Sequence, residues 1–193
     1  MGVNSRRDGV NHNNAQHTSI KVIQVNLNKA HGAQVELLNK INRLNSYLAL
    51  VTEPYCYKKT LSIPPKNSVI LPNKRDEHPR AAIFCSQDIK LNEISELKHR
   101  DMAVGVAKMD GKNTLIISLY LDIKFTVTPD FLINALKYAQ HRGYSVLIGC
   151  DTNSHSTLWG KETNKRGEEL EDLITEYGPV SYTHLTLPTI YSV

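Results

Sequence analysis

Long apolar runs are missing from this sequence. Of its 193 residues 40% are hydrophobic, yet no stretch approaches the roughly 20 consecutive apolar residues that a membrane-crossing helix needs, so no membrane partner is expected. Cysteine is scarce as well. Cys56, Cys85 and Cys150 are odd in number and widely spaced, with no C-x-x-C pair, which sets aside a disulfide framework and a paired zinc or redox site and leaves reduced thiols in or near a core. His155 stands four residues after Asp151 and His141 lies elsewhere, without a second ligand pair at zinc spacing. The opening residues MGVNSRRDGVNHNNAQHTS lack the apolar core of a secretory signal, and Arg6 stands where myristoylation requires Ser or Thr. A nuclear or cytoplasmic address is expected. Neither sign of charge dominates: a net charge of +4 and a pI of 8.9 permit a nucleic-acid partner without requiring one.

What is present reads as one soluble domain in which strand-like and helix-like segments alternate, with no repeat of fixed period. Residues 1–18 are polar, rich in Asn and His, and form a leader expected to be disordered. Residues 20–25 (IKVIQV) predict a strand ending at Asn26. Leu37, Leu38, Ile41 and Leu44 recur at helical spacing, predicting a helix from Ala33 to Asn45. Residues 48–52 (LALVT) predict a buried strand that ends at Glu53-Pro54. Short β-type runs follow over 68–71, 81–86, 103–109 and 114–121, an antiparallel middle with Asp110-Gly111 as hairpin turn. Thr128 as cap, Pro129 in the first turn, the stripe Leu132, Leu136, Ala139 and the stop at Gly143 predict a second helix. A buried strand over 145–150 and a helix through Leu170, Leu173, Ile174 and Tyr177, closed by Gly178, complete the series.

The segment LIGCDTNSHSTLWG at 147–160 turns abruptly from apolar residues to an acid, an amide, a histidine and the only tryptophan. Asp151-Thr152-Asn153 taken alone has the composition of an ordinary turn. Its neighbours change the reading. Four strands deliver polar groups at or near their carboxyl ends: Asn26, Glu53, Tyr120 and the Asp151/Asn153 pair. If the strands lie in packed sheets, these groups can meet at one edge and form a site. Carboxylates with carboxamides are hard oxygen donors suited to Mg²⁺, which keeps several waters and takes one or two protein carboxylates when a phosphate is the substrate. Asp151 could orient or deprotonate a water, and Tyr120 and Asn153 could donate to a phosphoryl oxygen as charge builds on it. Each residue singly is also a common turn, cap or packing residue, Tyr120 included. Asn28 fits a loop-shaping role, and His155 and Trp159 fit capping and packing of the loop. Lys74, Arg75 and Arg80 suit a phosphate-contacting loop, though a solvated face is the commoner setting for such residues.

QVNLN at 24–28, LVTEPY at 50–55, ISLY at 117–120 and GCDTNSH at 149–155 resemble, in order and spacing, four successive motifs of the endonuclease/exonuclease/phosphatase superfamily. Within it, PRAAIF at 79–84, DTNSHSTLWG at 151–160 and NKRGEELEDLI at 164–174 are similar to the apurinic-type endonuclease domain of non-LTR retrotransposons, particularly the arthropod target-specific and jockey-like groups. The resemblance runs from about Ser19 to Gly178. It implies an α/β fold, a four-layer sandwich of two facing mixed sheets flanked by helices. It also implies a divalent metal, Mg²⁺ or Mn²⁺, held by Glu53 with Asn26 in the same shell. Asp151 would align the attacking water, and Asn153 and Tyr120 would position the phosphate. The implied partners are double-stranded DNA and a reverse transcriptase domain in the same polyprotein.

The final residues depart from the family. A serine-x-isoleucine-aspartate motif and a closing aspartate-histidine pair are expected after the third helix, and residues 180–189 read VSYTHLTLPT instead, which resembles translated sequencing-adapter sequence. The expectation is therefore a domain over 19–178, incomplete at its C-terminus, followed by a non-native tail over 179–193. Three functions stay open: a DNA nickase that leaves a 3′-hydroxyl for priming reverse transcription, a repair endonuclease or other phosphodiesterase or phosphatase of the superfamily, and an inactive or merely DNA-binding chain.

Overall fold

The structure, a computed structural model, describes residues 19–58, 60–61, 67–70, 78–125, 128–158 and 162–178. The leader over 1–18, the segment 179–193, Lys74, Arg75 and Trp159 lie outside them. In chain order the elements are β1 (Lys21–Asn26), α1 (His31–Ile41), β2 (Tyr47–Thr52), β3 (Cys56–Tyr57), β4 (Thr60–Leu61), β5 (Asn67–Ile70), β6 (Ala81–Ser86), β7 (Asn92–Glu93), a 3₁₀ turn (Ser95–Leu97), β8 (Met102–Met109), β9 (Lys112–Tyr120), α2 (Asp130–Arg142), β10 (Ser145–Asp151) and α3 (Lys165–Tyr177).

Two four-stranded mixed sheets carry the fold, ordered β1-β2-β6-β5 and β10-β9-β8-β7, with β3 and β4 as a separate small ribbon. Each sheet has one parallel pair, β1 with β2 and β10 with β9, and is antiparallel beyond it. A parallel pair needs a crossover. Here α1 joins β1 to β2 and α2 joins β9 to β10, so within each pair the carboxyl ends emerge at the same edge.

Alternating side chains explain the layers. All six residues of β2 are buried. Leu48 and Leu50 pack with Ile83, Ala103 and Ile116 between the sheets, whereas Tyr47, Ala49 and Val51 pack outward with Leu37 and Ile41 of α1. On the second sheet Leu115, Ile117 and Leu119 face Leu132, Leu136 and Ala139 of α2 and Leu170 of α3. The order helix, sheet, sheet, helices is the expected four-layer sandwich. The sheets pack closely at Gly149, where an added Cβ would lie 2.5 Å from Leu50 Cδ1 and 2.7 Å from its Cβ.

Two local expectations need correction, and three short strands were not expected. Helix α1 spans His31–Ile41 rather than Ala33 to Asn45. Beyond Ile41 the chain makes short turns, with Leu44 N–H donating to Ile41 C=O at 3.0 Å, and Leu44 keeps its apolar contact without staying helical. Thr128 does not cap α2. Pro129 takes the N-cap position in extended geometry with no side-chain cap bond, because its own carbonyl already receives the N–H groups of Leu132 and Ile133. Finally, β3, β4 and β7 are two residues each, too short for an alternating pattern to reveal. The Asp110-Gly111 hairpin is as expected: both residues have positive φ, 48° and 80°, as the tight turn pairing Met109 with Lys112 requires.

Candidate functional site

Asn26, Glu53, Tyr120 and Asp151 are brought together at the carboxyl ends of β1, β2, β9 and β10. Asn26 sits between two acids. Its Nδ2 donates to Asp151 Oδ2 at 2.5 Å and lies 3.3 Å from Glu53 Oε2, while its Oδ1 accepts from Asn28 N–H at 2.7 Å. That last bond fixes which end of the amide faces the acids. Asn28 thus shapes the loop, as the sequence suggested. One step back along β1, Gln24 Nε2 donates to Cys150 C=O and ties β1 to β10 across the two sheets. A second cross-sheet bond runs from buried Ser118 Oγ to Val51 C=O at 2.9 Å.

Glu53 follows the last residue of β2 with a φ of 47°, a left-handed conformation costly for a non-glycine residue and often found at functional sites. Backbone bonds hold it there: Glu53 N–H donates to Arg80 C=O at 2.9 Å, and Glu53 C=O accepts from Lys29 N–H at 2.8 Å. The Lys29 ammonium stands 3.2 Å from Glu53 Oε1. Of the six non-glycine residues with positive φ among the described residues, Asn28, Lys29, Glu53 and Asn153 belong to this site, so backbone strain is concentrated here.

Tyr120 ends β9, directly across from Asp151. Its N–H donates to Asp101 C=O at 2.9 Å, and Leu121 N–H donates to Asp151 C=O at 2.8 Å. Burial raises the Tyr120 phenol above its ordinary pKa, and the charges of Glu53, Asp122 and Asp151 push it the same way against the Arg80 cation. The hydroxyl therefore stays protonated and available as a donor at neutral pH. Asn153 N–H donates to Asp151 Oδ1 at 3.3 Å and its Nδ2 to Leu121 C=O at 3.0 Å. Asn153 thus braces the loops after β9 and β10 as well as standing beside the acid.

The loop from 152 to 156 is fastened to α3. Asn164 caps the helix by accepting from Gly167 N–H at 2.9 Å, and it also accepts from His155 N–H at 3.2 Å while donating its own N–H to His155 C=O at 3.0 Å. A Cβ at Gly167 would fall 1.8 Å from that carbonyl, so only glycine lets the helix approach. His155 holds the loop through its backbone N–H and C=O, and the capping side chain is that of Asn164.

Arg80 corrects an expectation. It is not on a solvated face: its Nε and Nη2 fork onto Asp101 at 2.5 and 2.8 Å, Nη1 donates to Asp122, and the guanidinium lies 4.8 Å over the Tyr120 ring. Arg166, from the first turn of α3, donates to Asp122 C=O at 2.8 Å. Lys29, Asp101, Asp122 and Arg166 were missed by sequence reasoning. Arg166 lies within NKRGEELEDLI and Lys29 directly follows QVNLN, so those segments could have pointed to them, whereas only the pairing with Arg80 reveals Asp101 and Asp122.

Among the described residues no group of three or more His, Cys, Asp or Glu side chains could hold a metal ion, and no helix is long and apolar enough to cross a membrane. The acids of the site are two, Glu53 and Asp151. Their carboxylates are hard oxygen donors whose number matches what Mg²⁺ takes from protein beside a phosphate, while Asn26 turns its Nδ2 to them and its Oδ1 to Asn28 N–H. The donor chemistry fits a divalent cation.

Residues 114–192 match the family described as endonuclease-reverse transcriptase, a span that takes in β9, α2, β10, α3 and residues beyond Gly178. No curated protein matches. Among solved structures the chain is similar to the endonuclease domain of TRAS1, a telomere-specific non-LTR retrotransposon, with a TM-score of 0.64 and 19% identity over 83% of this chain and 71% of that one. At that identity the likeness establishes the fold. The resemblance read from the four motifs agrees with the family match, which takes in two of them, ISLY at 117–120 and GCDTNSH at 149–155.

Proposed function

We propose that the chain is the endonuclease domain of a non-LTR retrotransposon, a divalent-metal-dependent phosphodiester hydrolase that nicks double-stranded DNA and leaves a 3′-hydroxyl to prime a reverse transcriptase in the same polyprotein. One observation carries this reading: a single carboxamide, Asn26, bridges Asp151 and Glu53 at the strand ends where both βαβ units open. Ligands of open α/β sheets bind outside the carboxyl ends of the strands.

Glu53, whose Oε2 is steadied by Asn26 Nδ2 at 3.3 Å, would hold Mg²⁺ or Mn²⁺, which when bound neutralises charge on the phosphoryl group. The Asn26 bond to Oδ2 fixes the Asp151 carboxylate, leaving its remaining acceptor capacity to align a water and take its proton as the oxygen attacks phosphorus. The bond from phosphorus to the 3′ oxygen breaks and that oxygen takes up a proton. Tyr120, kept protonated by burial and by the neighbouring acids, donates to a phosphoryl oxygen, where a fixed donor counts most as charge develops. Asn153 stands beside it in the same role.

Binding of Mn²⁺ to the chain, followed by the loss of the free-ion electron paramagnetic resonance signal, tests the metal part. Glu53→Gln is expected to weaken binding at least about tenfold, because a neutral amide loses the charge that holds the ion. Unchanged Mn²⁺ affinity would remove Glu53 from the site. Cleavage restricted to duplexes carrying an abasic position would favour the repair-endonuclease reading instead.

A further inference from the structure

Arg80 touches both Glu53 and Tyr120, and no step of the proposed reaction uses it. Its backbone C=O receives Glu53 N–H at 2.9 Å and its N–H donates to Arg100 C=O at 3.1 Å, so the residue is locked beside the left-handed turn that presents Glu53. Its side chain runs the other way, toward β9. The fork on Asp101 occupies Nε and Nη2, and Asp122 takes Nη1. The Asp101 side chain is only 3% exposed and that of Arg80 14%. The buried acid is thereby matched by a planar cation with defined geometry.

With three of its nitrogens committed, the guanidinium presents a flat face to the phenol ring at 4.8 Å, a geometry in which cation and ring attract. Asp101, the fork's anchor, also accepts the Tyr120 N–H through its carbonyl. Tyr120 is therefore held at its backbone and over its ring by one pair of residues. Asp122 continues the chain of contacts: Lys124 N–H donates to its Oδ1 at 3.0 Å, and Arg166 holds its carbonyl.

We propose that Arg80 is a positioning residue of the candidate site, which fixes the Tyr120 ring, and so the direction of its hydroxyl, through the fork on Asp101 and the stack on the ring. This rests on the proposed function for what the hydroxyl contacts, and on the contacts above for everything else. Three of the five N–H donors of Arg80 are committed to two carboxylates, and one face of its plane lies over the ring.

Arg80→Lys keeps a positive charge for the buried Asp101 but removes both the fork and the planar stack, which makes it the variant of choice. The first readout is the side-chain scalar couplings of Tyr120 in the full chain, its resonance being the one lost in Tyr120→Phe. One χ1 rotamer is expected in the unmodified protein and averaging between rotamers in Arg80→Lys. The second readout is affinity for a fluorescein-labelled plain duplex by anisotropy. Tyr120→Phe is expected to weaken binding about three- to tenfold, as for one lost hydrogen bond. Arg80→Lys should do the same, and the double variant should be no weaker than the worse single one. Additive losses would mean that Arg80 contacts DNA on its own account and would overturn the proposal. So would a lower melting temperature in Arg80→Lys with Tyr120 couplings unchanged, the result of a purely structural role. If the chain does not bind duplex at all, the proposed function is what fails, and the couplings alone decide the role of Arg80.

Discussion

At the scale of single residues, the site is a contest between charges that repel and an arrangement that holds them together. Glu53 and Asp151 share one amide, with Lys29 the cation paired to Glu53. Asp151→Asn keeps the shape and removes the charge that accepts a proton. Single-turnover cleavage by a nicking-competent form of the domain should fall by about 10²- to 10⁴-fold, the usual worth of a general base, with duplex affinity little changed. A loss confined to affinity would reassign Asp151 to substrate contact. Asp122 supplies a pH prediction. Its bond to Arg80, then that from Lys124 N–H, hold its carboxyl below the ordinary carboxylate range. A pKa depressed in the fold gives stability that is complete above the unfolded value, about 4, and that drains away as pH falls through the folded value. Thermal melts across acid pH should therefore fall less steeply for Asp122→Asn than for the unmodified chain. Parallel curves would show that the ion pair contributes nothing to folding.

At the scale of elements, two βαβ units do the positioning, and they fit closely next to the chemistry. Gly149 lies in β10 two residues before Asp151, against Leu50 three residues before Glu53. Gly149→Ala should cost about 1–3 kcal/mol, as overpacking does, measured by urea denaturation. The clash with the Leu50 Cβ cannot be relieved by a side-chain rotation. By contrast Gly143, in left-handed geometry after α2, has open space around it, and Gly143→Ala should cost about 1 kcal/mol through backbone strain alone. Equal and negligible losses at both positions would contradict the close approach of the sheets. The strands themselves were legible in advance, β2 as a buried apolar run and β9 as a short β-type run of an antiparallel middle, whereas the burial of β9 from Thr114 to Leu119 and its parallel pairing with β10 came with the structure. The end of α1 was not legible, because Leu44 keeps helical spacing although it packs from a turn.

At the scale of the whole molecule, the two sheets converge on one edge where all five candidate residues stand. On the proposed function, conversion of supercoiled plasmid to relaxed circles should require a divalent cation, since the site's own groups leave the charge that develops on the phosphoryl group to be neutralised by the ion. Agarose gel electrophoresis of plasmid incubated with Mg²⁺ or with a chelator decides the matter, and relaxed circles formed equally under chelation would overturn the metal dependence.

Asn26, Glu53, Tyr120, Asp151 and Asn153 could be picked out of the sequence because each ends, or closely follows, an apolar run, and the backbone alternation that makes a strand also announces where it stops. The same alternation fixed the layers, since a strand apolar on both faces must be covered on both. The tertiary structure alone decided what holds those residues. Arg80 finds Asp101 and Asp122, 21 and 42 residues along the chain, and Asn26 finds Asp151 across 125. Such pairs leave no local pattern. They exist because two sheets pack face to face, and ion pairs and hydrogen bonds form with whatever the packing of apolar side chains brings within reach.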